Sequence, residues 1–443
     1  MYRGGGVTKR KTGWWKTAVR VLTIGALASV LSCCDGSVVD GAKRRVPEQI
    51  VLTALIWAPD WSEQMHQIAA EFSRTHPNIR VDLQFMIGDS VEENIAPRIA
   101  SNNLPDLMSV NPNAYAARLA DQDLLVDLAH QPLFDDMLEQ LKPDWTSPAG
   151  KQFGISGGVA ATLVYYNQGL FAAAGIKRAP ANFDEFLQVC ERLKESGVIP
   201  IVWTGGFPNM LGNGPFSAGF ANNVVARMPD WKARLAAGTL ALDNPAGADI
   251  FGKIRLIARR GYVQPDFMRT SYEQGIRLFT EGRVAMTFHG TWAAGRLMHG
   301  DGFTTGTFIP PWNAPGDASV PILGSETGFA IGATAHRTAA LEFLKYIMGP
   351  GFAVAQHKRH NITPMQHPAP DLVADRVITD YLAQVARYRI TGSPYYAFLP
   401  AETISLTHTL LQDVLADRIS PQQAARALDR SLKSQARPAT RAR

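Results

Sequence analysis

From Ile276 the apolar positions follow a helical spacing, with Ile276, Leu278 and Phe279 on one face. After Gly282 they alternate, with Val284, Met286 and Phe288 on one side of a strand. The pattern predicts a helix that runs into a buried strand ending at His289-Gly290-Thr291-Trp292. The same reasoning predicts a strand from Ile50 to Trp57, an amphipathic helix from Gln64 to Phe72, and a second strand from Ile79 to Phe85 behind the turn His76-Pro77-Asn78, which together make a βαβ unit. A helix from Val91 to Ala100 then leads through Leu104-Pro105-Asp106 into an apolar strand, Leu107 to Val110, followed by Asn111-Pro112-Asn113. Further on, Pro200 to Trp203 reads as a short strand and Thr204 to Pro215, rich in Gly, Asn and Pro, as a loop of the lid type. Helices dominate from Phe216 to about Gly261, and Phe329 to Ile331 is a late strand. Strands alternating with helices place the chain in the α/β class.

A chain of 443 residues is too long for one core, and two domains are expected. The charged fraction of 19% and apolar fraction of 46% are those of a globular protein. A pI near 9.0 invites a nucleic-acid reading, but six of the 44 Lys and Arg residues lie in 1–32, a stretch with no acid. The remaining 38 basic residues face 39 acidic ones, so the basic footprint of a phosphate-binding surface is missing and no nucleic-acid partner is expected. The basic opening precedes Val21 to Leu31, eleven uncharged residues, a run too short to span a bilayer. Residues 1–32 therefore read as a secretory signal peptide, and the protein as exported.

Val30-Leu31-Ser32-Cys33 resembles a bacterial lipobox, with Leu31-Ser32-Cys33-Cys34 as a competing frame, so Cys33 or Cys34 is the expected lipid anchor to the membrane. Residues 33–49 then form a flexible tether, and 434–443 a basic, disordered tail. Cys190 is the only cysteine outside that site, so no disulfide pair is available to the folded body. It shares a helical face with Phe183, Phe186, Leu187 and Leu193 and reads as core rather than as a catalytic thiol.

Three motifs carry a family resemblance. Phe279-x-x-Gly282-x-Val284-Ala285-Met286 followed by Gly290-x-Trp292 resembles the central signature of the extracellular solute-binding proteins of carbohydrate ABC importers, the family that includes maltose-binding protein. Pro105-Asp106 with its apolar strand is a second point of likeness. The most specific is Tyr165-Tyr166-Asn167-x-x-Leu170-Phe171-x-x-x-Gly175 with Pro180, Phe183-x-Glu185-Phe186 and Gly197-x-x-Pro200. The likeness runs from about Ile50 to Leu432. It implies the two-lobed periplasmic-binding-protein type II fold, with discontinuous lobes, a hinge, and the ligand in the cleft between them. The boundaries expected are 50–158 with 308–347 for the N-terminal lobe and 159–307 with 348–433 for the C-terminal lobe. Gly157 and Gly158 are the candidate hinge, since glycine tolerates the dihedral changes of lobe closure. The resemblance further implies a monomer that serves the two membrane subunits of an importer and needs no cofactor.

A sugar presents an apolar ring face and a rim of hydroxyls, so its site needs aromatic plates and polar acceptors on rigid strand ends. The candidates are Trp57, Asp60 and Trp61 after the first strand, Asn111 and Asn113 after the third, Trp203 and Asn213 flanking the lid-type loop, Trp292 and Glu326, with Tyr395 and Tyr396 near the C-terminal helices. Trp292 takes the ring-stacking role by resemblance. Each has a plainer alternative: tryptophan as core, Asn111 and Asn113 as turn or cap residues. Glu326, in Gly324-Ser325-Glu326-Thr327-Gly328, departs from the glycine pair of many relatives and could meet a hydroxyl pair or a cation. No zinc, nucleotide-loop, dinucleotide or Gly-x-Ser-x-Gly motif is present, and neither metal nor enzyme activity is expected. Asp60 and Glu326 as a glycosidase pair remain the enzymatic alternative. No Arg or Lys stands among the candidates, which favours a neutral saccharide of one to three rings over a glycerophosphodiester, with a quaternary ammonium in a tryptophan cage as second choice.

Overall fold

The computed structural model describes residues 49–58, 62–87, 90–139, 141–351, 385, 388 and 391–435, all within one unit, Pro47–Arg443. The first lobe is built on a four-stranded sheet of order β2-β1-β3-β9. Strands β1 (Ile50–Ile56) and β2 (Ile79–Phe85) pair in parallel from Ile50 opposite Ile79 to Ile56 opposite Phe85. Helix α1 (Ser62–Thr75) joins them and buries Met65, Ile68, Ala69 and Phe72, the spacing that puts one face of a helix on a sheet. The predicted βαβ unit is present. Strand β3 (Leu107–Val110) lies parallel to β1 on its other side and pairs antiparallel with β9 (Gly328–Ile331).

The second sheet has the order β5-β6-β4-β7, with β8 also on β4. Its centre is β4 (Val159–Asn167), nearly all of it buried. Strand β6 (Val284–Gly290) runs antiparallel to β4 on one side, and β5 (Ile199–Val202) parallel to β6 beyond it. On the other side β8 (Ile322–Ser325) covers the first half of β4 and β7 (Thr305–Phe308) the second. Around this sheet pack the helices Phe183–Glu195, capped by Asn182, and Pro245–Arg259. The helices Ala401–Leu415 and Pro421–Gln435 close the same core through Leu411, Val414, Ala424 and Leu428. Cys190 is fully buried there, and burial pushes its thiol well above the ordinary range, aided by the nearby Glu191 charge.

The chain leaves the first sheet after Ile155, which pairs with Phe329, and enters the second at Val159, opposite Ser325. It returns between Ser325 and Gly328, side by side with the outward crossing: the Glu326 amide donates to the Gly158 carbonyl at 3.1 Å. Gly157 is needed at this point because a β-carbon there would lie 2.3 Å from the Thr327 carbonyl oxygen. The return therefore comes later than residue 308. Trp312, Val320 and Ile322 belong to the second core, because the Pro310-Pro311-Trp312 turn folds back against Phe183 and Phe186.

The lid-type loop expected from Thr204 to Pro215 is not a loop beyond its first residues. Asn209–Val225 is a run of α- and π-helical turns. Its glycines serve close packing rather than flexibility: a β-carbon on Gly212 would lie 2.6 Å from the Tyr395 ring, and one on Gly214 2.8 Å from Cβ of Phe288. Phe216 and Phe220 anchor the run in the core. The expected signal peptide, lipid-anchor cysteines, tether and most of the basic tail lie outside the described residues. No helix among the described residues is long and apolar enough to cross a membrane.

Candidate functional site

The crossing segments form the floor of a cleft that is lined from both lobes and open to solvent. The first lobe lines it with Trp57, Glu92 and Asn111. The second lobe contributes Asn213, Tyr272, Trp292, Tyr395 and Tyr396, while Gly157, Glu326 and Thr327 come from the crossings.

Trp292 stands in a short helical turn directly after β6. Its indole lies across Gly290, which explains the Gly-x-Trp spacing: any side chain at residue 290 would occupy the space of the ring. Behind it the His289 ring centroid is 5.8 Å from that of Trp292 and 5.1 Å from that of Tyr272. Burial lowers the His289 pKa to about 3, although a hydrogen bond from the Gly290 amide to Nδ1 works against this. The imidazole is neutral, and the nearby Arg296 charge also lowers its pKa.

The polar wall opposite is organised by Glu92, in the first turn of helix α2 (Val91–Ala100) and only 3% exposed. Its Oε1 accepts from the amides of Asn111 and Asn113 at 2.9 and 2.6 Å. Asn111 in turn accepts from the Thr327 hydroxyl at 2.7 Å, which links β3 to the crossing. Glu92 Oε2 has no partner among the described residues. From the second lobe, Asn213 donates to Asn209 at 2.7 Å while its Oδ1 is buried and unpaired. Tyr395 bonds its hydroxyl to His408 Nε2 at 2.5 Å, and Tyr396 donates to the Ser325 carbonyl at 3.3 Å. Burial first, and then the charges of Glu326 and Asp144, push the Tyr396 phenol well above its ordinary pKa.

Of the candidates drawn from sequence, Trp57, Asn111, Asn213, Trp292, Glu326, Tyr395 and Tyr396 come together in the cleft with Gly157. Asn113 serves as the N-cap of helix α3 (Ala114–Asp121), accepting from the Tyr115 and Ala116 amides, and its own amide is spent on Glu92 and the Tyr396 carbonyl. Trp203 is not at the cleft. Strand alternation turns it with Ile201 into the second-lobe core, against Phe267, while Val202 faces the other side. Asp60 and Trp61 lie outside the described residues. Glu92 and Tyr272 are additions that sequence reasoning missed. An acid in a helix's first turn is ordinary dipole chemistry, and Tyr272 shares a helical face with Ile276 and Phe279, so both read as structural.

Among the described residues no group of three or more His, Cys, Asp or Glu side chains could hold a metal ion. The cleft offers aromatic faces, neutral amides and carboxylates, which suits reversible capture of a polar, ring-bearing solute.

The profile of the bacterial extracellular solute-binding protein family matches residues 58–353. The multiple sugar-binding protein of Streptococcus mutans serotype c is 20% identical over 344 residues, 75% of this chain and 79% of that protein. Among solved structures, SBP RafE in complex with raffinose superposes with a TM-score of 0.74 at 19% identity, covering 88% of this chain and 100% of its own. A chitin oligosaccharide binding protein gives 0.75 at 21% identity, covering 88% and 99%. At these identities the structures establish the shared two-lobed type II fold.

Proposed function

The chain belongs to the bacterial extracellular solute-binding protein family, and from that premise we propose that it captures a saccharide of one to three rings in the cleft and delivers it to the two membrane subunits of an ABC importer. The observation that carries this reading is the joint placement of Trp57, Trp292 and the buried acceptors of Glu92 and Asn213 around one cavity. Aromatic faces take the apolar side of a sugar ring, and the acceptors take its hydroxyls. Relatives named for sugars, raffinose and chitin oligosaccharides support the same class of ligand. In this reading the protein is exported, tethered through a lipid on Cys33 or Cys34, and acts as a monomer. Closure bends the crossings at Gly157 and Gly158, and the importer's ATPases supply the energy.

Binding without turnover is part of the proposal. A thermal-shift screen over saccharides, glycerophosphodiesters and betaines tests the ligand class, followed by product analysis of any saccharide that binds. A rise in melting temperature with a saccharide, and its recovery unchanged, is the expected result. Stabilisation by a phosphodiester or betaine alone, or hydrolysis of the bound sugar, would replace this reading.

A further inference from the structure

Two buried acceptor atoms, on residues that line the cleft, have no donor among the described residues. Glu92 Oε2 and Asn213 Oδ1 are unpaired, on side chains 3% and 2% exposed, and both residues line the same cavity from different lobes. Buried polar atoms in folded proteins are paired as a rule, so a ligand that fills this space must bring donors to both. Charge narrows the chemistry further. The two hydrogen bonds that Glu92 receives come from neutral amides, which satisfy Oε1 but do not balance the carboxylate. No Lys, Arg or His is among the described residues lining the cavity. Enclosing a carboxylate in a cleft is costly unless an opposite charge is enclosed with it.

Three ligand groups can be weighed against these needs. A hydroxyl brings a donor but no charge. A quaternary ammonium brings charge but no N–H, and leaves Oε2 unpaired. A primary ammonium brings three donors and a positive charge. We infer that the ligand is an amine-bearing saccharide, with a protonated amino group on Glu92 and neighbouring hydroxyls reaching Asn213. The inference rests on the saccharide reading above and replaces the neutral sugar expected from the sequence alone. Glu92 is then the residue that determines specificity, and Asn213 its counterpart on the other lobe.

The test is calorimetry on the folded chain with three β-1,4-linked trisaccharides that differ at one ring position: the glucosamine trimer, its N-acetylated form, and cellotriose. The glucosamine trimer is expected to bind roughly 10- to 100-fold more tightly than the other two, the gain of a charge-assisted hydrogen bond over a neutral one. Glu92→Gln, which keeps an acceptor for Asn111 and Asn113, should remove that preference. Equal or tighter binding of either uncharged trimer, or an unchanged preference in E92Q, overturns the inference while leaving the saccharide reading intact. If E92Q does not fold, the wild-type comparison decides by itself. If no trimer binds and raffinose and the parent monosaccharides also fail, the saccharide reading falls, and this inference falls with it.

Discussion

Trp292 lies across Gly290 so closely that a β-carbon at residue 290 would sit 2.0 Å from Cζ3 of the indole. The glycine is the seat on which the ring rests. Gly290→Ala should therefore displace the indole, with a stability loss of about 1–3 kcal/mol from overpacking. Trp292→Ala should weaken ligand binding roughly tenfold or more through loss of the stacking face. Calorimetry and thermal melting of both variants check the pair. Full affinity in G290A would show that the ring's position does not matter.

His289 gives the fold a pH dependence of definite sign. Its folded pKa, about 3, lies below the ordinary 6.5, so between these values the unfolded chain binds a proton that the folded one does not. The contribution is complete above about pH 6.5 and shrinks by about 1.4 kcal/mol per unit as the pH falls towards 3. Urea unfolding at pH 7 and pH 5 should show a smaller acid loss in His289→Gln than in the wild type. Equal losses would mean that the ring is protonated in the folded state.

The lobes also touch beyond the crossings. Ser405 of the second lobe donates to Glu93 of the first at 2.6 Å, and Lys232 pairs with Asp144 at 3.9 Å. Ser405→Ala removes this contact between the lobes, and should raise the dissociation constant by roughly 2- to 5-fold with little change in melting temperature if lobe closure accompanies binding as proposed. Small-angle scattering of the ligand-free variant should show a larger radius of gyration than the wild type. An identical radius would make the contact incidental.

The expected anchor is checked by mass spectrometry of the N-terminus from the native host. The mature chain should begin at a lipid-modified Cys33 or Cys34. An unmodified chain beginning upstream of Cys33 would remove the lipid from the proposal.

Much of this architecture was legible because periodicity survives packing. The amphipathic pattern from Gln64 to Phe72 is a helix whose buried face is Met65, Ile68, Ala69 and Phe72, and the alternation before Trp292 is that of a buried strand. The strand-end rule picked Trp57, Asn111 and Trp292, which line the cleft, and Trp203, which does not. A rule about chain position carries no information about which face of the strand a side chain takes. The run from Asn209 misled for a related reason: Gly212, Gly214 and Pro215 have the composition of a loop, and only the rings of Tyr395 and Phe288, far away in sequence, show that the glycines admit close neighbours. Glu92 was invisible because its partners, Asn111 and Asn113, are about twenty residues away and look like turn formers.

The paired crossings have a mechanical consequence. Two antiparallel segments joined edge to edge, with Glu326 bonded to Gly158 and Gly157 pressed on Thr327, behave as a two-ply ribbon. Such a ribbon bends easily across its flat face and resists shear in its plane, because sliding one ply past the other breaks the bonds between them. If the lobes close about these crossings as proposed, such a ribbon favours rotation about a line through itself over sliding. In that closure Gly157 and Thr327, on the ribbon, would move least, and a contact outside it, such as that of Ser405 with Glu93, would move more.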